Sequence, residues 1–220
     1  MKLRRLTAAA AAVLMTFALL TPTALASQEP SPDTYAAELL YQLGLFQGVG
    51  TGADGKPDFD LDRAPTRQEA VTMLIRLLGK DAEAKAGSYK TPFTDVADWA
   101  KPYVGYAYAN KLTLGTGGNT FGGSDTVTPA QYLTFVLRAL GYSSQEDFTW
   151  SSAWELTDAL EITYGEYNAD TQGFTRGNVA MISASALGGA MKNTGLTLLS
   201  FLKEAGALAK TDLVLMNFEV

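Results

Sequence analysis

Apolar residues recur at helical spacing along this chain, three and four apart, in three stretches that share one frame. "TRQEAVTMLIRLLG" from Thr66, "TPAQYLTFVLRALG" from Thr128 and "TRGNVAMISASALG" from Thr175 each open on threonine and close on glycine, at Gly79, Gly141 and Gly188. One stripe runs through Val71, Leu74, Ile75 and Leu78 in the first copy and Leu133, Val136, Leu137 and Leu140 in the second. A second row is apolar as well: Ala70, Met73 and Leu77, then Tyr132, Phe135 and Ala139, then Val179, Ile182 and Ala186. More than half of each helix therefore seeks burial, which places all three at the centre of a bundle.

The polar positions predict where these helices begin and end. Thr66 with Glu69, and Thr128 with Gln131, have the spacing of capping boxes, in which each residue satisfies a backbone amide that the helix start leaves unpaired. Thr175 with Asn178 is a weaker version of the same device. Pro129 suits the first helical position, where its missing N–H costs nothing. The closing glycines are expected in the left-handed conformation that stops a helix. Each capped helix is preceded by an earlier helical pattern ending in "LFQG" (Leu45–Gly48), "LTLG" (Leu112–Gly115) or "ITYG" (Ile162–Gly165), and then by a loop. Phe59 and Phe121 are expected to plug the first two loops onto the core; the third loop is shorter and has no such plug. The class is mainly all-α, built from three helix-loop-helix units.

Composition narrows the function. The chain opens "MKLRRLTAAAAAVLMTFALLTPTALASQ", a basic start, an apolar run and an Ala-x-Ala site, which reads as a secretory signal peptide over residues 1–26. Its removal takes away three positive charges and no negative one, so the formal charge of -6 becomes -9. A chain of that charge is repelled by nucleic-acid phosphates, and any anionic partner must be held by a local site. No other stretch is apolar for long enough to span a membrane. With no cysteine and no histidine, disulfides, thiolate or imidazole metal sites and His-dependent nucleophilic catalysis are excluded.

Residues Phe93 to Tyr142, "FTDVADWAKPYVGYAYANKLTLGTGGNTFGGSDTVTPAQYLTFVLRALGY", resemble the S-layer homology repeat. That family's pattern has an F-x-D-V start, a tryptophan, an apolar helix, a glycine loop with phenylalanine and a T-R-A-E helix start. The resemblance runs from about Asp33 to Gly188. It implies a pseudo-threefold bundle whose grooves between repeats bind a secondary cell-wall polysaccharide linked to peptidoglycan, often pyruvylated, and so anchor exported proteins to the wall without a covalent bond. It also implies that the arginine of T-R-A-E is a binding residue, here Arg67 and Arg176. Copy two has Pro129 in that place, copy three has Trp150 where copy two has Asp95 and a first helix about five residues shorter, and copy one lacks the F-x-D-V start. One or two working grooves are therefore expected, not three.

The residues themselves support an anion site. A helix N-terminus exposes amides and a positive dipole end, and an arginine in the first turn adds charge-assisted bonds. Trp99 is open to two readings, a sugar platform or part of the groove wall, and Gly48 and Gly115 would let a ligand approach the backbone. The bland reading of Arg67 is a solvated first-turn side chain.

Rival chemistries are weaker. Asp58, Asp60, Asp62 and Glu69 have calcium-loop spacing, but Arg63 stands where that loop needs glycine. Glu155, Asp158 and Glu161 could offer the carboxylates of a glycosidase, and Ser200 with Lys203 imitates S-x-x-K, without partner motifs in either case. The expected organisation is a signal peptide at 1–26, repeats at 27–80, 90–142 and 143–190, and a helix and tail at 191–220, with no effector domain in that span. The helix is expected to pack on the bundle and stop at Gly206, and Leu213 to Phe218 reads as strand-like. The expected function is wall attachment without enzyme activity, cofactor or metal; the alternative is an adaptor that binds a protein partner after losing its sugar site.

Overall fold

The computed structural model describes residues 30–208. Its helices are α1 (Pro32–Gln42), α2 (Arg67–Leu77), α3 (Asp81–Ala86), α4 (Lys101–Ala109), α5 (Pro129–Ala139), α6 (Ala153–Ala159), α7 (Arg176–Ala186) and α8 (Leu198–Glu204). Most of them begin at a threonine cap (α2, α5, α7 and α8) or an early proline (α1, α4 and α5); α3 and α6 begin with neither. A two-stranded antiparallel hairpin, β1 (Gly50–Thr51) with β2 (Pro57–Asp58), interrupts the first loop. The signal-peptide segment and Leu213 to Phe218 lie outside the described residues.

The three capped helices, α2, α5 and α7, are each 11 residues long, and all three capping boxes form. The third box closes with asparagine: Asn178 accepts from the Thr175 amide at 2.9 Å and returns its own amide to Thr175 Oγ1 at 3.3 Å. A short amide therefore serves where the other copies use glutamate or glutamine.

Packing is cyclic. α4 lies on α2, α6 on α5 and α1 on α7, so the first helix of each unit covers the capped helix of the unit before it, and the last contact closes the ring. α2, α5 and α7 meet at the centre. Their apolar rows are buried as the pattern predicts, including Val71, Leu74, Ile75, Leu133, Leu137, Val179 and Ile182. The fully buried Tyr132 of α5 donates to or accepts from Ser183 of α7 across 2.7 Å, which satisfies a phenol whose pKa burial drives well above its ordinary value.

The loops depart from expectation in four places. Gly79 and Gly141 are left-handed, at φ 67° and 91°, whereas Gly188 is not, because α7 runs on into tight turns through Gly188 and Gly189. The third loop does have a plug, supplied by Phe174 beside its cap and by Tyr167, both buried and 6.1 Å apart between ring centroids. α3 had no counterpart in the repeat pattern; Asp81 ties it down through Arg76, Lys85 and Tyr103. α6 has 7 residues and α4 has 9, so the shortening of the third unit falls mostly in its connections. The amphipathic segment after the third unit does form α8, with Leu198 and Leu202 buried and Gly206 left-handed at φ 65°.

Candidate ligand-binding groove

Arg67 enters the structure as the first residue of α2, and its backbone is already committed. Its amide donates to the Asp125 carbonyl at 2.8 Å, that of Gln68 to the Gly123 carbonyl at 3.2 Å, and that of Glu69 to the Thr66 hydroxyl at 3.4 Å. The helix-start amides expected to face an anion are thus spent on the neighbouring loop and the cap. Charge recognition at this place falls to the side chain.

That side chain is 6 % exposed and lies between two rings, with Cζ 5.2 Å from the Phe121 centroid and 4.8 Å from that of Phe135. Its Nε is buried without a hydrogen-bond partner. Burial, with the positive charge of Arg138 nearby, pushes the guanidinium pKa down to about 10, and the negative charge of Asp125 offsets this only in part. Arg138 is lowered too, by burial; its Nη2 donates to Ser144 Oγ at 2.7 Å. Neither arginine takes part in an ion pair among the described residues, although Arg63 and Arg76 both do.

Both open onto one pocket of about 370 Å³. α2 contributes Arg67, and the turn after α4 contributes Leu114, Gly115 and Thr116. α5 contributes Gln131, Thr134, Phe135 and Arg138, and Trp150, 60 % exposed, stands at the rim. Two guanidiniums without an ion-pair partner among the described residues, beside apolar and aromatic surface, could receive an anion carried on a partly apolar body.

Asp95 holds this pocket in shape from behind. Its carboxylate accepts from the amides of Phe121 at 2.8 Å and Gly122 at 2.7 Å, fixing the ring on which Arg67 rests. Gly123 is obligatory there, since a Cβ would stand 2.6 Å from the Asp95 carbonyl oxygen. Gly115 is held at φ 78°, where a Cβ would come within 2.6 Å of the Thr120 carbonyl oxygen. The turn needs this glycine whether or not a ligand is present.

Residues 92–133, which contain Asp95, this turn and the start of α5, match the family model described as the S-layer homology domain. The chain carries an S-layer homology domain. It is 33% identical over 138 residues to the surface layer protein of Brevibacillus choshinensis, covering 61% of this chain and 12% of that protein. It is 32% identical over 164 residues to the cell surface protein of Thermoanaerobacter kivui (73% and 20%), and 33% identical over 141 residues to the middle cell wall protein of Brevibacillus brevis (61% and 13%). The chain spans a fifth or less of the length of these relatives.

The remaining predicted ligand-binding residues, Arg176, Gly48 and Trp99, do not line the pocket. Arg176 is the positional equal of Arg67 on α7 and is 4 % exposed, but its donors are used: Nε reaches the Phe59 carbonyl at 2.8 Å, Nη2 the Gln47 carbonyl at 3.4 Å and Nη1 the Met73 sulfur at 3.5 Å. Its Cζ also lies 5.6 Å from the Phe46 ring. Gly48 meets its own hairpin, where a Cβ would lie 2.6 Å from the Asp58 carbonyl oxygen, so the close approach there is to chain and not to ligand. Trp99 is half exposed in the 3-10 turn Asp98–Ala100, away from the pocket; the tryptophan at the rim is Trp150, and the sequence pattern treated that residue as a departure.

The rival chemistries dissolve into structural bonds. Glu69 takes Arg63 at 3.0 and 2.9 Å besides its cap, and among the described residues no group of three or more acidic side chains could hold a metal ion. Asp158 accepts from Thr163 and from the Gly165 amide, and Glu161 lies past the end of α6 in a left-handed turn. The trio does not share a helix face. No helix among the described residues is long and apolar enough to cross a membrane.

Proposed function

We propose that this chain anchors to the bacterial cell wall without a covalent bond, by holding an anionic secondary cell-wall polysaccharide, in its pyruvylated form, in the groove where α2 meets α5. The observation that carries the reading is the pair Arg67 and Arg138, two half-desolvated cations turned to one pocket with no carboxylate paired to either. Leaving them unpaired costs stability, and an anionic ligand would recover it.

The similarity to a surface layer protein, a cell surface protein and a middle cell wall protein supports a place at the cell surface and an anchoring role without enzyme activity. We read residues 27–80, 90–142 and 143–190 as three S-layer homology repeats, of which the equal capped helices and the cyclic packing are the structural mark. Among the described residues, the groove between the first and second holds Arg67, whose buried Nε has no hydrogen-bond partner.

Co-sedimentation of the protein with purified wall polymer, with and without its pyruvyl groups, tests this. Retention should require the pyruvyl groups and fall in Arg67→Met. Equal retention of the variant by the pyruvylated polymer would refute the site. No retention of the wild type, with a surface protein co-purifying instead, would favour the adaptor reading.

A further inference from the structure

The Arg67 pocket does not end at Arg138. A second pocket, of about 510 Å³, adjoins it across Leu114 and Arg138, which line both. Its far walls are Asn110 and Lys111 at the end of α4 and Ser144 and Gln145 after α5. No carboxylate lines either pocket, on a chain whose formal charge is -6. Arg67, Arg138 and Lys111 thus follow one another along a single groove, and Lys111, like the two arginines, has no ion-pair partner among the described residues.

Two details show what such a groove can take. Leu114 stands between the pockets and is 55 % exposed, a small apolar ridge suited to the face of a sugar ring. Lys111 occupies a left-handed turn, φ 59°, one residue past the cap of α4, where α1 uses Gly44 at φ 79° and α6 uses the oppositely charged Glu161 at φ 57°. A side chain is strained there, yet the position carries a lysine and directs a cation to the rim.

We infer that the two pockets are successive subsites of one groove, which binds a saccharide bearing a negative group on each of two neighbouring residues. The first group meets Arg67 and Arg138, and the second meets Arg138 and Lys111, with Asn110, Ser144 and Gln145 as neutral hydrogen-bonding partners. This rests on the reading of the Arg67 pocket as a polysaccharide site and adds that the polymer is read as a chain, beyond a single charged unit.

Calorimetry on the folded protein with two synthetic probes tests it: an N-acetylhexosamine methyl glycoside carrying one pyruvyl ketal, and the disaccharide carrying a ketal on each residue. Linking the second contact to the first should make the disaccharide bind about tenfold tighter or more. Lys111→Gly suits the left-handed backbone and removes the charge, and should bring that ratio below about threefold. A ratio near one in the wild type for both the ketal pair and a matched phosphodiester pair, or a ratio that survives Lys111→Gly, overturns the second subsite. If Arg67→Met binds both probes as the wild type does, the first pocket itself is misread, a different failure. A matched pair with phosphodiesters in place of the ketals separates the two sources of charge, and the pair that shows the ratio names the source.

Discussion

Arg67 and Arg176 stand at the same place in two helices of equal length, each behind a threonine cap, each buried and each stacked near a phenylalanine. They differ in what their nitrogens meet. The loop that faces Arg176 turns two carbonyls, those of Phe59 and Gln47, toward it. In the loop that faces Arg67 the amides of Phe121 and Gly122 are held by Asp95, no carbonyl of that loop accepts from the guanidinium, and Arg67 lines an open pocket. One arginine closes a groove as a structural tie, and the other faces an open pocket with its Nε unsatisfied. The motif thus identifies a position, and the neighbour's loop decides whether the guanidinium there is tied or left open.

The same substitution at both places breaks the comparison most sharply. Arg176→Met keeps the stem and orphans two carbonyl acceptors, so chemical denaturation should show a loss of about 2 to 3 kcal/mol. A change under about 0.5 kcal/mol would mean that Arg176 is not a structural tie. Arg67→Met removes an unpaired, half-desolvated charge and keeps the packing on Phe121 and Phe135. Its stability should stay within about 1 kcal/mol of the wild type or rise, while affinity for the pyruvylated polymer should drop by about 2 kcal/mol, some thirtyfold, in a binding titration.

Trp150→Ala sharpens the comparison at the rim. Loss of an aromatic face should weaken polymer binding by about 1 kcal/mol with little change in the denaturation midpoint, and an unaltered affinity would remove Trp150 from the site. The smallest effect concerns the loop that holds the pocket open. Burial pushes the Asp95 carboxyl up, but the amides of Phe121 and Gly122 more than compensate and hold its pKa below the ordinary 3.8. With the folded pKa depressed, this contribution is present at and above the unfolded value and is lost as pH falls through the folded one. Because Asp95 is exposed, Asp95→Asn should cost at most about 1 kcal/mol at pH 7. The difference from wild type should vanish in strong acid, as read by denaturation at a series of pH values.

Much of this was legible in the chain. The caps, the apolar rows and the loop plugs at Phe59 and Phe121 follow from local rules that act within a few residues, and they placed every central helix. α3 was missed because it falls between repeats, and the plug at Phe174 because it sits beside its cap and not seven residues before it. Asp95 was visible as part of F-x-D-V, but its role in holding a loop 26 residues away was not. Trp150 departs from that pattern in sequence, yet its place is at the pocket rim. Arg138 gave no sequence signal at all, since an arginine in the last turn of a helix is ordinary.

The sequence by itself determined where the three central helices start, which of their faces are buried and that an acidic, cysteine-free chain needs a local cation to hold an anion. Those are properties of short windows and of composition. Tertiary structure alone decided which arginine is satisfied by carbonyls from another unit, which tryptophan stands at the pocket rim and that Arg67, Arg138 and Lys111 line two adjoining pockets. Such pairings depend on loops far apart in the chain, and the repeats, being alike in their helices, differ most in those loops.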